Sequence, residues 1–340
     1  MHVDGFEHAA GEHCGSTSLR DLSEHYGWGF TEPECFGLAS GLGFTFFELS
    51  RSPWRMFVGR PMWLERAFFD HLDIPHTERE GDDWATAWEQ VTDRLDHGDP
   101  VMVFVDLYYL DYYETDTHFA PHSLLVVGYD EEKEAPDGST GVAYMADSEF
   151  DEIQELPLDS LRDAWASKDV MPLHNRWLAV DGQPRPDTAA AVREAMTETA
   201  AYMLDPESAA RELGFGTAGL AGIRALAADL PEWTDLPNPA WAARFAYQNV
   251  ERRGTGGGAF RGLYAPFLDA RETDVDLAGF ADRMHAIADD WTAAGEVLKA
   301  ASETDDADER ADLFAAASER VTDIADTEER FYEDVLDALA

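Results

Sequence analysis

The chain has 340 residues, of which 69 are acidic and 25 basic, giving a net charge of −44 and an isoelectric point near 4.3. No basic stripe exists to neutralise phosphates, which excludes nucleic acid as a partner, and no apolar run is long enough for a helical membrane span. Disordered acidic chains lack aromatics, whereas here 12% of residues are aromatic and 45% hydrophobic, so a folded protein of a salt-loving organism is expected; its self-repulsion is tolerable because the screening length at about 1 M salt is about 3 Å.

At this length two domains are expected. The opening MHVDGFEHAA has neither the basic start nor the apolar stretch of a secretion signal, so a cytoplasmic location is expected. Two cysteines, Cys14 and Cys35, do not make a disulfide framework, and Cys35 in TEPECFGLASGLGF reads as buried packing. His8, His13, Cys14 and Cys35 cluster, but their spacing fits neither a CxxC nor an HxxxH pairing, and no metal site is expected.

In chain order, GEHCGSTSLRDL places Cys14 at the first turn of an amphipathic helix with Leu19 and Leu22 facing inward. A thiol there meets the partial positive charge of the helix start and unpaired backbone N–H groups, and both favour thiolate. Gly37, Gly41 and Gly43 then break the chain into a loop before the apolar run FTFFEL. Helices are predicted over 61–72, opened by proline, and over 82–97, with Trp84, Trp88, Val91 and Leu95 on one stripe. Strands are predicted over 101–107, 123–129 and 142–146, with a Pro-Asp-Gly-Ser turn at 136–139, so the sheet should be antiparallel. LPLDSLRDAWAS gives a short helix and RWLAV one more strand. The prolines and glycine of DGQPRPDTAA, residues 181–190, mark a linker. Beyond it the signals are helical, over 186–203, 207–229, 239–252, 259–271, 276–301 and 306–338, the last two pairing as an antiparallel hairpin. The domains expected are 1–183, of α+β pattern, and 184–340, all helical with a glycine-rich loop.

Several residues carry chemistry. His122 heads the apolar run HSLLVVGYD and Asp147 ends GVAYMAD, so Cys14, His122 and Asp147 supply nucleophile, base and base-orienting carboxylate. Tyr108, Tyr109, Tyr112 and Tyr113 alternate with Asp106, Asp111, Glu114 and Asp116, a mixture of aromatic faces and carboxylates that suits a cationic amine. In ERRGTGGGAFRGLY, Arg252, Arg253 and Arg261 flank a glycine run containing Gly256 and Gly257. Such a loop opening a helix either binds a phosphate or carboxylate, or is a tight turn whose arginines pair with the chain's own carboxylates.

The cysteine-bearing helix, the proline-led strand DPVMVFVDL, the histidine-led strand ending in GYD and the strand ending in Asp147 together resemble the papain-like fold, in the compact form of bacteriocin-processing cysteine peptidases. More narrowly, HAAGEHCGSTSLRDL, ECFGLASGLGF and ERRGTGGGAFRGLYAPFLDA resemble the family of the butirosin-biosynthesis H protein, an acyltransferase. The resemblance implies an α+β, papain-like cysteine-enzyme domain followed by an all-helical one. It also implies transfer of an acyl group from a thioester donor, a carrier protein or coenzyme A, through an acyl-enzyme on Cys14 to an amine acceptor. No cofactor is implied beyond the acyl thioester as co-substrate. His122 is then the base and Asp147 its orienter. Papain-like enzymes place an oxyanion-binding glutamine six residues before the cysteine; His8 stands there, and His13 is the second candidate. Tyr108, Tyr109, Tyr112 and Asp111 are assigned to the amine, and Arg253, Gly256, Gly257 and Arg261 to the anionic part of the donor. A cysteine peptidase or amidase on the same triad, and a catalytically silent binding protein, are alternative readings, since fold does not choose between them. Homo-oligomerisation stays open.

Overall fold

Six antiparallel strands frame the part of the chain that holds Cys14, His122 and Asp147. In a computed structural model that describes residues 1–135, 137–206 and 216–340, they lie in the order His76–Arg79, Trp177–Val180, Val101–Val105, His122–Glu134, Thr140–Ala146, Gln154–Pro157. The central strand VMVFV is buried on both faces. Val101, Val103 and Val105 share one core with Ala87, Val91 and Leu95 of the helix Trp84–Asp96, and with Leu161 and Trp165 of the helix Leu158–Ala166. The stripe read from the sequence is that core-facing stripe, and Asp83 starts the helix by accepting the Thr86 N–H at 3.0 Å.

Register decides where the chemistry collects. Val105 pairs with His122 and Leu125 with Ala146, so the first residue of one strand and the residue just after the next strand, Asp147, meet at the same end of the sheet. The first helix, Cys14–His25, packs against the His122–Glu134 strand with Leu19 and Leu22 buried.

Chain contacts divide the molecule into Met1–Cys35 with Asp73–Arg185, and Phe36–Leu72 with Pro186–Ala340. The expected boundary at 183/184 lies close to the last crossing. Residues 36–72, expected with the N-terminal part, group instead with the helical unit. The cause is a small sheet: Thr45–Glu48 pairs with Arg55–Val58 on one side and with Thr217–Ala218 on the other. Strands this short carry little alternation, and their partner lies far along the chain.

The second unit is otherwise helical: Thr188–Leu204, Gly219–Asp229, Pro239–Glu251, Arg261–Arg271, Phe280–Glu303 and Ala307–Leu339. The predicted helix over 207–229 is seen from Gly219, its start falling outside the described residues, as does the first residue of the 136–139 turn. Asn238 and Asp306 accept N–H groups at the starts of their helices. Phe280–Glu303 and Ala307–Leu339 pack together across a three-residue connection, each burying a stripe at three- and four-residue spacing, such as Met284, Ile287, Trp291 and Leu298. Among the described residues, no helix is long and apolar enough to cross a membrane.

Candidate active site

The nucleophile candidate is held by its neighbours. His13 caps the first helix, its Nδ1 accepting the Ser16 N–H at 3.3 Å. Glu32 gathers the approach to that helix: its carboxylate accepts the N–H of Glu12 at 3.1 Å and of His13 at 2.9 Å, and the hydroxyls of Ser16 at 3.0 Å and Thr17 at 2.9 Å. Only glycine fits at position 11, because a Cβ there would stand 2.1 Å from Thr17 Oγ1 and 2.7 Å from Glu32 Oε2. The N–H of Gly11 donates to Ser148 O at 2.9 Å, which ties this segment to the turn after Asp147.

The structure brings Cys14, His122 and Asp147 together. His122 Nε2 donates to Asp147, 3.1 Å from Oδ1 and 3.0 Å from Oδ2, which leaves Nδ1 as the ring nitrogen not engaged by the carboxylate, and the ring lies within electrostatic reach of the Cys14 sulfur. All three side chains are buried. Burial alone would raise the Cys14 thiol pKa, but the two imidazoles beside the sulfur, His13 and His122, outweigh it and hold the thiol well below its ordinary value. Burial would also lower the His122 pKa; the charge and hydrogen bond of Asp147 override it and hold the imidazole well above its ordinary value. Asp147 is pushed up by burial and pulled down further by His122, Tyr113 and Tyr112, so it stays an anion. Both directions favour the thiolate–imidazolium form of the pair.

Cys35 is the internal contrast. Burial, with the charges of Glu34 and Glu32, drives its thiol well above its ordinary value. Limiting iodoacetamide near neutral pH is thus expected to label Cys14 and to leave Cys35 intact in peptide maps; equal labelling of the folded protein would remove the electrostatic distinction.

His8 corrects the oxyanion assignment made from its position six residues before Cys14. Its Nδ1 lies 2.6 Å from Asp21 Oδ2, and its Nε2 donates to Phe150 O at 2.9 Å and to Asp147 O at 3.2 Å. All of these partners are acceptors, so both ring nitrogens carry committed protons and none is left for a reacting oxygen. Burial would lower the His8 pKa, but the hydrogen bond and charge of Asp21 raise it above 6.5. His8 instead ties the first helix to the turn that carries Asp147. A pKa raised in the folded state means stability present at low pH and lost as pH rises through the folded value. Urea midpoints are expected to fall as pH climbs above 6.5, and to fall less steeply in His8→Gln; identical slopes would place the loss elsewhere.

His13 is the histidine that faces the sulfur, with Nε2 3.9 Å from Cys14 Sγ. Because Nδ1 accepts from the Ser16 N–H, Nε2 is the nitrogen that carries the proton in the neutral ring.

The tyrosine stretch divides. Tyr112 donates to Asp147 Oδ2 at 3.0 Å and Tyr113 to Oδ1 at 2.9 Å, so Tyr112, assigned from sequence to the amine, is spent on the carboxylate. Tyr108 stacks on His118 at 4.1 Å and Tyr109 donates to Asp169 at 3.1 Å. Asp111 accepts the Ser160 hydroxyl at 2.7 Å. Asp106, His118 and Asp169 bring ligand atoms within 4.8 Å of one another, the spacing a cation needs, but His118 Nδ1 donating to the buried Asp106 at 2.8 Å accounts for that approach without one.

Arg261 corrects a second assignment. It is fully buried, its Nε 2.9 Å and Nη2 2.8 Å from the Glu328 carboxylate, so it holds no external anion. Arg253 lies over the Phe245 ring at 4.5 Å and reaches Gln248 at 3.4 Å. In the glycine run, Gly256 and Gly257 have φ of +61° and +84°, the N–H of Gly257 donates to Thr255 Oγ1 and that of Gly258 to Glu251. The loop's donors thus turn inward to the chain's own groups. Sequence reasoning passed over Glu32, His13 as the cap, and Glu149, whose carboxyl pKa is raised by burial and by Asp147 and which lies within electrostatic reach of His122, Cys14 and Glu12.

Fold and site define the class: an α+β protein with a helix-start cysteine against a histidine–aspartate pair, joined to a helical domain. The chain carries an N-terminal domain of the butirosin biosynthesis protein H kind and belongs, through its larger C-terminal part, to a family of unknown function. Residues 13–135 match the family described as butirosin biosynthesis protein H, N-terminal, and residues 159–335 match a domain of unknown function (DUF4872). Cys14 and His122 fall inside the first match, and Asp147 lies between the two. No curated protein matches the chain.

Proposed function

We propose that the protein is an acyltransferase that works through a thioester on Cys14. The observation that carries the reading is the buried Cys14 sulfur within electrostatic reach of His122, whose Nε2 is held by both Asp147 oxygens. The Cys14 thiolate attacks the carbonyl carbon of an acyl thioester, such as a coenzyme A or carrier-protein thioester. As the tetrahedral intermediate collapses, the donor's C–S bond breaks and the departing thiolate takes the proton from His122 Nδ1. An amine then attacks the acyl-enzyme; its proton passes to His122 as the C–N bond forms, and the Cys14 thiolate leaves with its imidazolium partner restored. Asp147 holds the ring in one tautomer throughout. The oxyanion of each intermediate is met by the Cys14 backbone N–H at the helix start and by His13 Nε2. Glu149, within electrostatic reach of the sulfur and of Glu12, favours a cationic acceptor.

Incubation in high salt with an acyl-coenzyme A is expected to give an acyl adduct by intact mass, absent in Cys14→Ala. An added primary amine should discharge it as amide, whereas discharge as free acid alone would make the protein a hydrolase on the same triad, and no adduct would sink the reading. His13→Ala is expected to slow adduct formation about 100-fold, the usual cost of one oxyanion donor, measured in a single turnover, with His13→Gln recovering part of the rate.

A further inference from the structure

We propose that Tyr112 and Tyr113 are positioning residues of the His122–Asp147 pair: each phenol donates to one carboxylate oxygen, which holds Asp147 in place and limits how strongly it retains the imidazolium proton. Asp147 is fully buried and receives three side-chain donors, His122 Nε2, Tyr112 OH and Tyr113 OH. A buried carboxylate with histidine as its sole donor concentrates its charge on that ring; two further donors disperse it.

The arrangement is built for this. Both tyrosines sit in one short 3-10 turn, Asp111–Tyr113, anchored where Asp111 accepts the Ser160 hydroxyl. Phe150 packs edge-on against both rings at 5.3 Å, and its own N–H closes the turn onto Asp147 O at 3.0 Å. Tyr113 also meets the His122 ring edge-on at 5.9 Å. Burial, with the charge of Asp147, pushes both phenols above their ordinary range, so they remain neutral donors wherever the thiolate pair exists. Among the described residues, the other titratable groups around the pair are the Cys14 sulfur, His13 beside it, Glu149 on the turn, and His8 behind the Asp147 carbonyl.

The sign follows. Loss of one hydroxyl concentrates the carboxylate charge on His122, and the imidazolium proton is then lost at higher pH. Tyr112→Phe and Tyr113→Phe are each expected to raise the His122 titration midpoint by about half a pH unit, read by ring-nitrogen NMR of the full chain in high salt. In Asp147→Asn, the further change Tyr113→Phe should move that midpoint by less than about 0.2 units, because the carboxylate it acts through is gone. The two singles are made separately so that a folded one, checked by circular dichroism, decides the matter. An unmoved or lowered midpoint, or an equal rise in the Asp147→Asn background, overturns the proposal. It rests on the thiolate–imidazolium reading of the site, but the titration needs no acyl transfer, so a protein that forms no adduct yet shows these shifts loses its proposed function and keeps this one.

Discussion

His122→Ala is expected to slow single-turnover acylation of Cys14 by about a thousandfold or more, within the range by which a positioned base contributes to nucleophilic attack. Two effects combine. The variant loses the ring that holds the thiolate's counter-charge, so a smaller share of Cys14 is ionised near neutral pH. It also loses the proton donor for the departing donor thiolate. Raising the pH should recover part of the first loss by ionising the thiol directly, and none of the second. Rapid-quench intact mass over a pH series measures both. A variant within tenfold of the parent at neutral pH would make His122 a packing residue and leave His13 as the sole imidazole acting on the sulfur.

The residues that meet in this site were legible because each stands at an element boundary that the sequence marks. Cys14 opens a helix, His122 opens a strand and Asp147 follows one, and the antiparallel order expected from the intervening turn puts the last two at one end of the sheet. The long helices of the second unit were legible for a similar local reason, their apolar spacing repeated over many turns. Side-chain partners were not. Distance along the chain from Cys14 favours His8 as an oxyanion donor, yet His8 is claimed by Asp21, thirteen residues on, and by carbonyls about 140 residues away. Four tyrosines in one stretch look alike in composition, and only the two successive 3-10 turns send Tyr112 and Tyr113 to Asp147 while Tyr108 and Tyr109 go to His118 and Asp169. The grouping of 36–72 with the helical unit is not legible in the sequence, because its strand partner, Thr217–Ala218, is two residues long and has no pattern to read.

Glu328→Ala is expected to destabilise the helical unit by about 3–5 kcal/mol, the cost of orphaning a buried charge. Arg261 is fully buried and spends its guanidinium on Glu328 through Nε and Nη2, and on Ala259 O at 2.8 Å and Gly43 O at 3.2 Å through Nη1. Trp291 Nε1 donates to the same carboxylate at 2.8 Å, so the substitution strands a tryptophan N–H as well. The pair also fastens a difficult stretch of backbone. Gly256, Gly257, Gly258, Ala259 and Phe260 have consecutive φ values of +61°, +84°, +54°, +51° and +73°. Glycine adopts these freely, but Ala259 and Phe260 each cost on the order of 1–3 kcal/mol there and persist only because neighbours such as Arg261 hold them. Solvent screening reaches a buried pair weakly, so the loss should be similar in urea titrations at moderate and at high salt, unlike that of the many surface pairs of this acidic chain. Arg261→Met with Glu328→Leu removes both charges and should recover more than half of the stability. A loss below about 1 kcal/mol in Glu328→Ala would show that water or another acceptor reaches the guanidinium, and that the loop is not fastened by this pair.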